Sequence, residues 1–264
     1  MNNRIQGKNI VITGASGGIG ERMALKCAEA GANVVLLARN LDKLLTLKEN
    51  IEINDYGRAW AYQLDVSQYD AIPPLFSIIK KEIGPIDILI NNAGYGIFDE
   101  AHEASFEDIK GMFDVNVLGL IRCTQQVIPD LQMKKSGHIV NIASQAGKLA
   151  TPKSSAYSAS KHAVLGYTNS LRMELSRSGV FVTAVNPGPI ATDFFTVADS
   201  TGSYVKNVEK YMLDPDYVAE KVVSSLMINT REINLPGWMN IGSVAYQLFP
   251  KLVERLGKNA FFKK

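Results

Sequence analysis

Tyr157 and Lys161 stand four residues apart in Tyr157-Ser-Ala-Ser-Lys161, near the start of a helix-like segment that runs to about Glu174. On a helix that spacing puts both side chains on one face, one turn from each other. A phenol ionises near pH ~10, too high to exchange a proton readily at neutral pH. An ammonium group held within ~4–6 Å favours the phenolate and lowers that pKa. The tyrosine then becomes a usable general acid/base for a substrate oxygen. Tyr-x-x-x-Lys is a common spacing, and a packed tyrosine beside a solvated lysine accounts for many isolated instances. The other groups along the chain decide between the two.

A second group could hold phosphates. Gly14-Ala-Ser16-Gly17-Gly18-Ile19-Gly20 follows the β-branched run Asn9–Thr13 and precedes a helical pattern from Glu21 to Ala30. Strand, glycine turn and helix form the context in which such glycines carry meaning. Gly14 would make the tight turn, Gly18 would let the backbone approach a pyrophosphate, and Gly20 would let helix and strand come close. Backbone N–H groups at the helix N-terminus would then hold the anion. The next strand, Asn33–Ala38, ends in Arg39-Asn40 with no carboxylate before Asp42. An acidic residue at that corner binds the ribose 2′-hydroxyl of NAD, whereas an arginine accommodates the 2′-phosphate of NADP. Arg39 therefore points to NADP(H).

These groups must be carried on a scaffold, and the periodicities describe one. Short apolar runs at 58–64, 86–90, 138–143 and 180–185 read as further strands. Helical patterns at 41–54, 70–81 and 106–128, and the segment containing Tyr157, separate them. Alternation of this kind predicts a single-domain, Rossmann-type α/β fold, a doubly wound parallel sheet with helices on both faces. The strand ends would then bring Asp65-Val66, Asn92-Ala93-Gly94, Ser144 and the loop Pro187-Gly188-Pro189-Ile190-Ala191-Thr192 to one rim. Asp65 could contact adenine there, or cap the following helix. Asn116 falls inside the long helical stretch, where asparagine points outward or satisfies another group.

Composition narrows the function classes. With 264 residues, 46% hydrophobic and 20% charged, the chain is an ordinary globular one. A net charge of +2 without a long basic run argues against nucleic acid. Cys27 and Cys123 lie in apolar helical patterns, which suggests buried thiols in a reducing compartment. With no signal-like N-terminus and no apolar run near ~20 residues, the expected location is cytoplasmic. His102, His138 and His162 show no metal-ligand spacing, and no metal site is expected.

With these residues in place, the chain resembles the short-chain dehydrogenase/reductase family, well over roughly residues 7–195 and loosely beyond. The resemblance rests on Thr13-Gly14…Gly18-Ile-Gly20, Asn91-Asn-Ala-Gly94, Asn116, Ser144, Tyr157…Lys161 and Pro187-Gly188, in that order. It implies Tyr157 as catalytic acid/base, Ser144 as donor to the substrate carbonyl, and Lys161 as the group that lowers the tyrosine pKa and holds the nicotinamide ribose. It implies that Asn116 anchors a water in a proton relay through Lys161. It also implies that Asn92, Ala93 and Gly94 lie beside a ribose and Asp65-Val66 beside adenine. Pro187, Gly188, Ile190 and Thr192 would approach the carboxamide end of the nicotinamide. The activity implied is hydride transfer between NADP(H) and a ketone or aldehyde, or the reverse from a secondary alcohol. A non-catalytic NADP(H) sensor and an epimerase or dehydratase on the same site are the alternatives.

Two segments stand outside that resemblance. Residues 194–211 are long enough for a substrate lid. Phe194, Phe195 and Tyr204, with Tyr95, Ile97 and Phe98, predict a moderately hydrophobic carbonyl substrate. From Trp238 to Lys264 a tail alternates apolar residues (Tyr246, Leu248, Phe249, Leu252, Val253, Leu256, Phe261, Phe262) with Lys251, Lys258, Lys263 and Lys264. It is read as an amphipathic element that packs on its own domain or joins subunits in a homodimer or other homo-oligomer, in preference to contact with membrane lipid.

Overall fold

The computed structural model describes residues 4–199 and 202–261. Ile10, Val11 and Ile12 are fully buried in β1 (Asn9–Thr13), a run that only a strand covered on both faces can accept. The other strands are β2 (Asn33–Ala38), β3 (Ala59–Gln63), β4 (Ile88–Asn91), β5 (Gly137–Ile142), β6 (Val180–Pro187) and β7 (Glu232–Leu235). All are parallel, in the order β3-β2-β1-β4-β5-β6-β7. Ile12 aligns with Leu36 of β2 on one side and Ile90 of β4 on the other. The winding reverses between β1 and β4, where a doubly wound sheet opens its ligand crevice.

Alternate residues of each strand feed two cores. Ile10, Ile12, Val34 and Leu36 pack under α1 (Gly18–Glu29), α2 (Leu41–Ile53) and α9 (Pro215–Ser225). Val11, Val35 and Leu37 pack on the other side with Phe76 of α3 (Ile72–Ile83), Val127 of α5 (Leu120–Lys134) and Leu171 of α6 (Ser155–Glu174). Cys27 and Cys123 are buried free thiols, one in each core.

The continuous helix expected over 106–128 is broken. It divides into α4 (Phe106–Phe113), a π-helical turn at Asp114–Gly119, and α5. The wider turn lets Asn116 face inward, where its amide grips both main-chain groups of Tyr95: Tyr95 N–H donates to Oδ1 at 3.0 Å, and Nδ2 donates to the Tyr95 carbonyl at 2.8 Å. Such π turns collect at functional sites. Strand β6 runs two residues beyond the expected Val185, because Asn186 and Pro187 pair with Asn234 and Leu235 of β7.

The segment expected as a lid forms α7 (Phe194–Ala198), α8 (Ser203–Val208) and a tight turn at Glu209–Tyr211. Phe98 N–H donates to the Ala198 carbonyl at 2.9 Å, which draws α7 over the crevice. The tail becomes α10 (Gly237–Leu248) and α11 (Pro250–Phe261); Phe262, Lys263 and Lys264 lie outside the described residues. Lys148, just after β5, anchors α10 by donating to Asn240 Oδ1 at 2.9 Å, and it also meets Asn234 and Glu232. Among the described residues, no helix is long and apolar enough to cross a membrane.

Candidate active site

The glycine turn is held by steric necessity. Gly14 has φ +66°, and a Cβ there would stand 2.8 Å from Ala93 Cα. At Gly20 a Cβ would come within 2.2 Å of the Gly14 carbonyl oxygen and 2.5 Å of Asn92 Nδ2. That amide donates to the carbonyls of Thr13 and Gly14, both at 3.0 Å, while Thr13 Oγ1 accepts from the N–H groups of Asn92 and Ala93. The ends of β1 and β4 are thereby locked together at the point where the winding reverses. A Cβ at Gly17 would meet nothing within 4 Å, so the first turn of α1 leaves its backbone open to the crevice.

That crevice is a cavity of about 1550 Å³. Ligand pockets usually hold ~300–1,000 Å³, so this one has room for a dinucleotide and a second molecule. Of the catalytic and cofactor-binding residues expected from the sequence, all but Gly20 and Asn116 line it; Ile97, expected in the substrate lining, does not. Gly20 sits behind the turn. Asn116 is 1% exposed, and its amide is committed to Tyr95 and to Ser160 Oγ at 3.1 Å. It holds the Gly94-Tyr95 wall instead of reaching the cavity. Asn40 reaches the wall but also caps α2, accepting from Lys43 N–H at 3.0 Å. Asp65 lines the cavity and closes a local turn by accepting from Ser67 N–H and Oγ at 2.9 and 2.7 Å; it does not cap the following helix, whose N-cap is Gln68. Arg39 is exposed at the end of β2, and among the described residues no carboxylate pairs with its guanidinium. A bare backbone cradle at one end and an uncommitted guanidinium at the corner fit a dinucleotide with a 2′-phosphate.

Three groups meet at the inner end. Ser144 accepts from Ala146 N–H at 3.0 Å, and its hydroxyl also bonds the Tyr157 phenol. Lys161 Nζ lies 5.9 Å from the centre of the Tyr157 ring and donates to the Ile142 carbonyl at 2.9 Å. Burial pushes the phenol up to about 12, and the Ser144 bond pulls it back only in part. Burial also pushes the Lys161 ammonium down to about 8. The expected lowering of the tyrosine by the lysine is therefore corrected for the protein alone. The ammonium is turned to a carbonyl, and both groups are desolvated in the same wall. In this state Tyr157 is a proton donor at neutral pH.

Aromatic rings shape the space in front of these groups. Phe98 and Phe194 sit 5.8 and 5.7 Å from the Tyr157 ring, and Tyr204 packs on Phe98 at 5.1 Å. Sequence reasoning missed Trp238, Met239 and Val253 on the same wall. Self-packing of the tail is one of the two arrangements expected from the sequence, but no local signal marks which of its residues face inward. Among the described residues, no cluster of His, Cys, Asp or Glu could hold a metal ion.

Comparison with known proteins agrees in fold and family. The family model for short chain dehydrogenase matches residues 8–201. An uncharacterized oxidoreductase of Staphylococcus saprophyticus is 35% identical over 235 residues, covering 88% of this chain and 97% of that protein. The 3-ketodihydrosphingosine reductase of Mus musculus is 37% identical over 190 residues, 69% of this chain and 56% of its own. Among solved structures, a serine dehydrogenase complexed with NADP+ superposes with a TM-score of 0.75 at 32% identity, covering 85% of this chain and 94% of that one. A Thermococcus sibiricus alcohol dehydrogenase complexed with 5-hydroxy-NADP gives 0.78 at 27%, covering 87% and 95%.

Proposed function

The chain belongs to the short-chain dehydrogenase/reductase family, and we propose that within it this protein is an NADP(H)-dependent reductase of a ketone or aldehyde. One observation carries the reading: Ser144, Tyr157 and Lys161 share one wall of a cavity whose other end is the open glycine turn. The residues that would hold the nucleotide are the turn at Gly14–Gly20, Arg39 at the 2′-phosphate, and Asn92–Gly94 and Lys161 beside the nicotinamide ribose. Reduced nicotinamide, when bound, supplies a hydride to a carbonyl carbon.

The side chains do the rest. Tyr157, held protonated, donates its proton to the carbonyl oxygen as negative charge develops there. Ser144 donates a hydrogen bond to the same oxygen, a fixed dipole aimed at that charge. Lys161 keeps a positive charge under the phenolate that is left. A protonated phenol suits reduction, because the reverse reaction needs a base at the same position. The rings of Phe98, Phe194 and Tyr204 favour an apolar substituent on the carbonyl, and relatives named 3-ketodihydrosphingosine reductase support a ketone of that character. Two buried free thiols suit the reducing cytoplasm.

The test is a panel of carbonyl compounds with NADPH and with NADH, using Tyr157→Phe as control. The variant keeps the ring and loses the proton donor, so turnover should fall by about 10²–10⁴-fold. Undiminished turnover would remove Tyr157 from the chemistry. Tight NADPH binding with no turnover of any carbonyl would point to a sensor instead.

A further inference from the structure

The outward faces of α10 and α11 carry an apolar strip that the active site does not use. Ile241, Val244 and Leu248 follow one another at helical spacing on α10, and Phe249, Leu252 and Leu256 continue the series into α11. All are exposed, Ile241 at 72% and Leu256 at 77%. The same helix pair also lines the catalytic cavity through Met239, Val253 and Trp238, the last of them 57% exposed. The sequence of this segment is also basic. From Trp238 onward the sequence holds five basic residues, among them Lys251 and Arg255, and one acidic residue, Glu254, while the whole chain is only +2. Lys251 and Arg255 are exposed next to Leu252 and Leu256, and Glu254 accepts from the Tyr246 hydroxyl at 3.1 Å.

We propose that α10 and α11 dock this protein on an anionic lipid surface, with the mouth of the cavity turned toward the bilayer. An amphipathic helix with basic residues beside its apolar face lies in the plane of a membrane interface. Anionic headgroups draw in each lysine or arginine close to the surface. A second copy of the chain suits the strip less well. A two-fold contact apposes the same patch from both subunits, which would bring two sets of Lys251 and Arg255 into one interface. The docking does not depend on the reductase reading. Where that reading holds, an apolar ketone dissolved in lipid can pass along Trp238 and Met239 toward Tyr157.

The full chain should be floated with vesicles of phosphatidylcholine alone and of phosphatidylcholine mixed with phosphatidylglycerol. Co-flotation is expected with the mixed vesicles only, and high salt should release it. The double variant Lys251→Glu/Arg255→Glu should weaken partitioning by at least about tenfold, and Leu248→Glu/Leu252→Glu should abolish it. Both variants should reduce a water-soluble ketone at the wild-type rate, which shows that they are folded. Flotation without turnover of any carbonyl would support docking and refute the reductase reading. Equal flotation on both vesicle types, none on either, or a solution dimer that Leu252→Glu dissociates would overturn the proposal.

Discussion

Lys161→Met removes an ammonium that is only 5% exposed and whose pKa burial pushes down from 10.5 to about 8. That displacement corresponds to a penalty of about 3 kcal/mol on the charged form in the folded protein. Methionine fills similar space without the charge, but the hydrogen bond to the Ile142 carbonyl at 2.9 Å is lost. Leaving that acceptor unmet costs back about 1–2 kcal/mol. The variant should therefore be more stable at pH 7 by about 1–2 kcal/mol, and its Tm higher by about 3–6 °C. The gain has a defined pH dependence. A lysine with a depressed folded pKa carries its full penalty below about pH 8 and none above about 10.5. The wild type thus gains stability as pH rises through that window; the variant's advantage closes and then reverses, since above it only the lost hydrogen bond, about 1–2 kcal/mol, remains. Urea unfolding at pH 7 and at pH 10 measures both quantities. Reductase activity of the same variant should drop by about 10²–10⁴-fold, the pattern of a charge kept for function at the expense of stability. A variant less stable at pH 7, or an advantage that does not shrink at pH 10, would refute the reasoning.

Arg39→Asp should lower the ratio of kcat/KM for NADPH over NADH by about 10–100-fold, since one charge-assisted bond to phosphate contributes about 1.5–3 kcal/mol. Because Arg39 is exposed, the wild-type preference should weaken in salt; an unchanged ratio would show that Arg39 does not read the 2′-phosphate. Gly20→Ala drives a Cβ to 2.2 Å from the Gly14 carbonyl oxygen, and as overpacking against backbone it should cost about 1–3 kcal/mol in chemical denaturation. Lys148→Met strands Glu232, whose carboxyl is pushed up by burial but held below its ordinary range overall, chiefly by Lys148. With side chains only 12% and 21% exposed, breaking that pair should destabilise the protein by about 2–4 kcal/mol and loosen α10, seen as faster amide exchange across 237–248.

What was legible in the sequence is what local geometry dictates. Asn9–Thr13 reads as a buried strand because β-branched residues on both faces leave no other comfortable state. The glycine turn is legible because φ +66° at Gly14 and the close approach at Gly20 exclude side chains at those positions. The four-residue spacing of Tyr157 and Lys161 puts them on one helix face without reference to the rest of the molecule. Tertiary structure decided the rest. Asn116 turns inward only because a π-helical turn brings it to the main chain of Tyr95, twenty-one residues away. The ammonium of Lys161 finds the carbonyl of Ile142 across the fold, and burial, not proximity, sets the direction of the Tyr157 shift. The tail displayed its amphipathic pattern in sequence, yet which side meets the cavity and which meets solvent depends on Lys148 tethering Asn240. Spacing along a chain determines which groups share a face; how deeply each is buried depends on everything packed above it, and burial sets how a charge behaves.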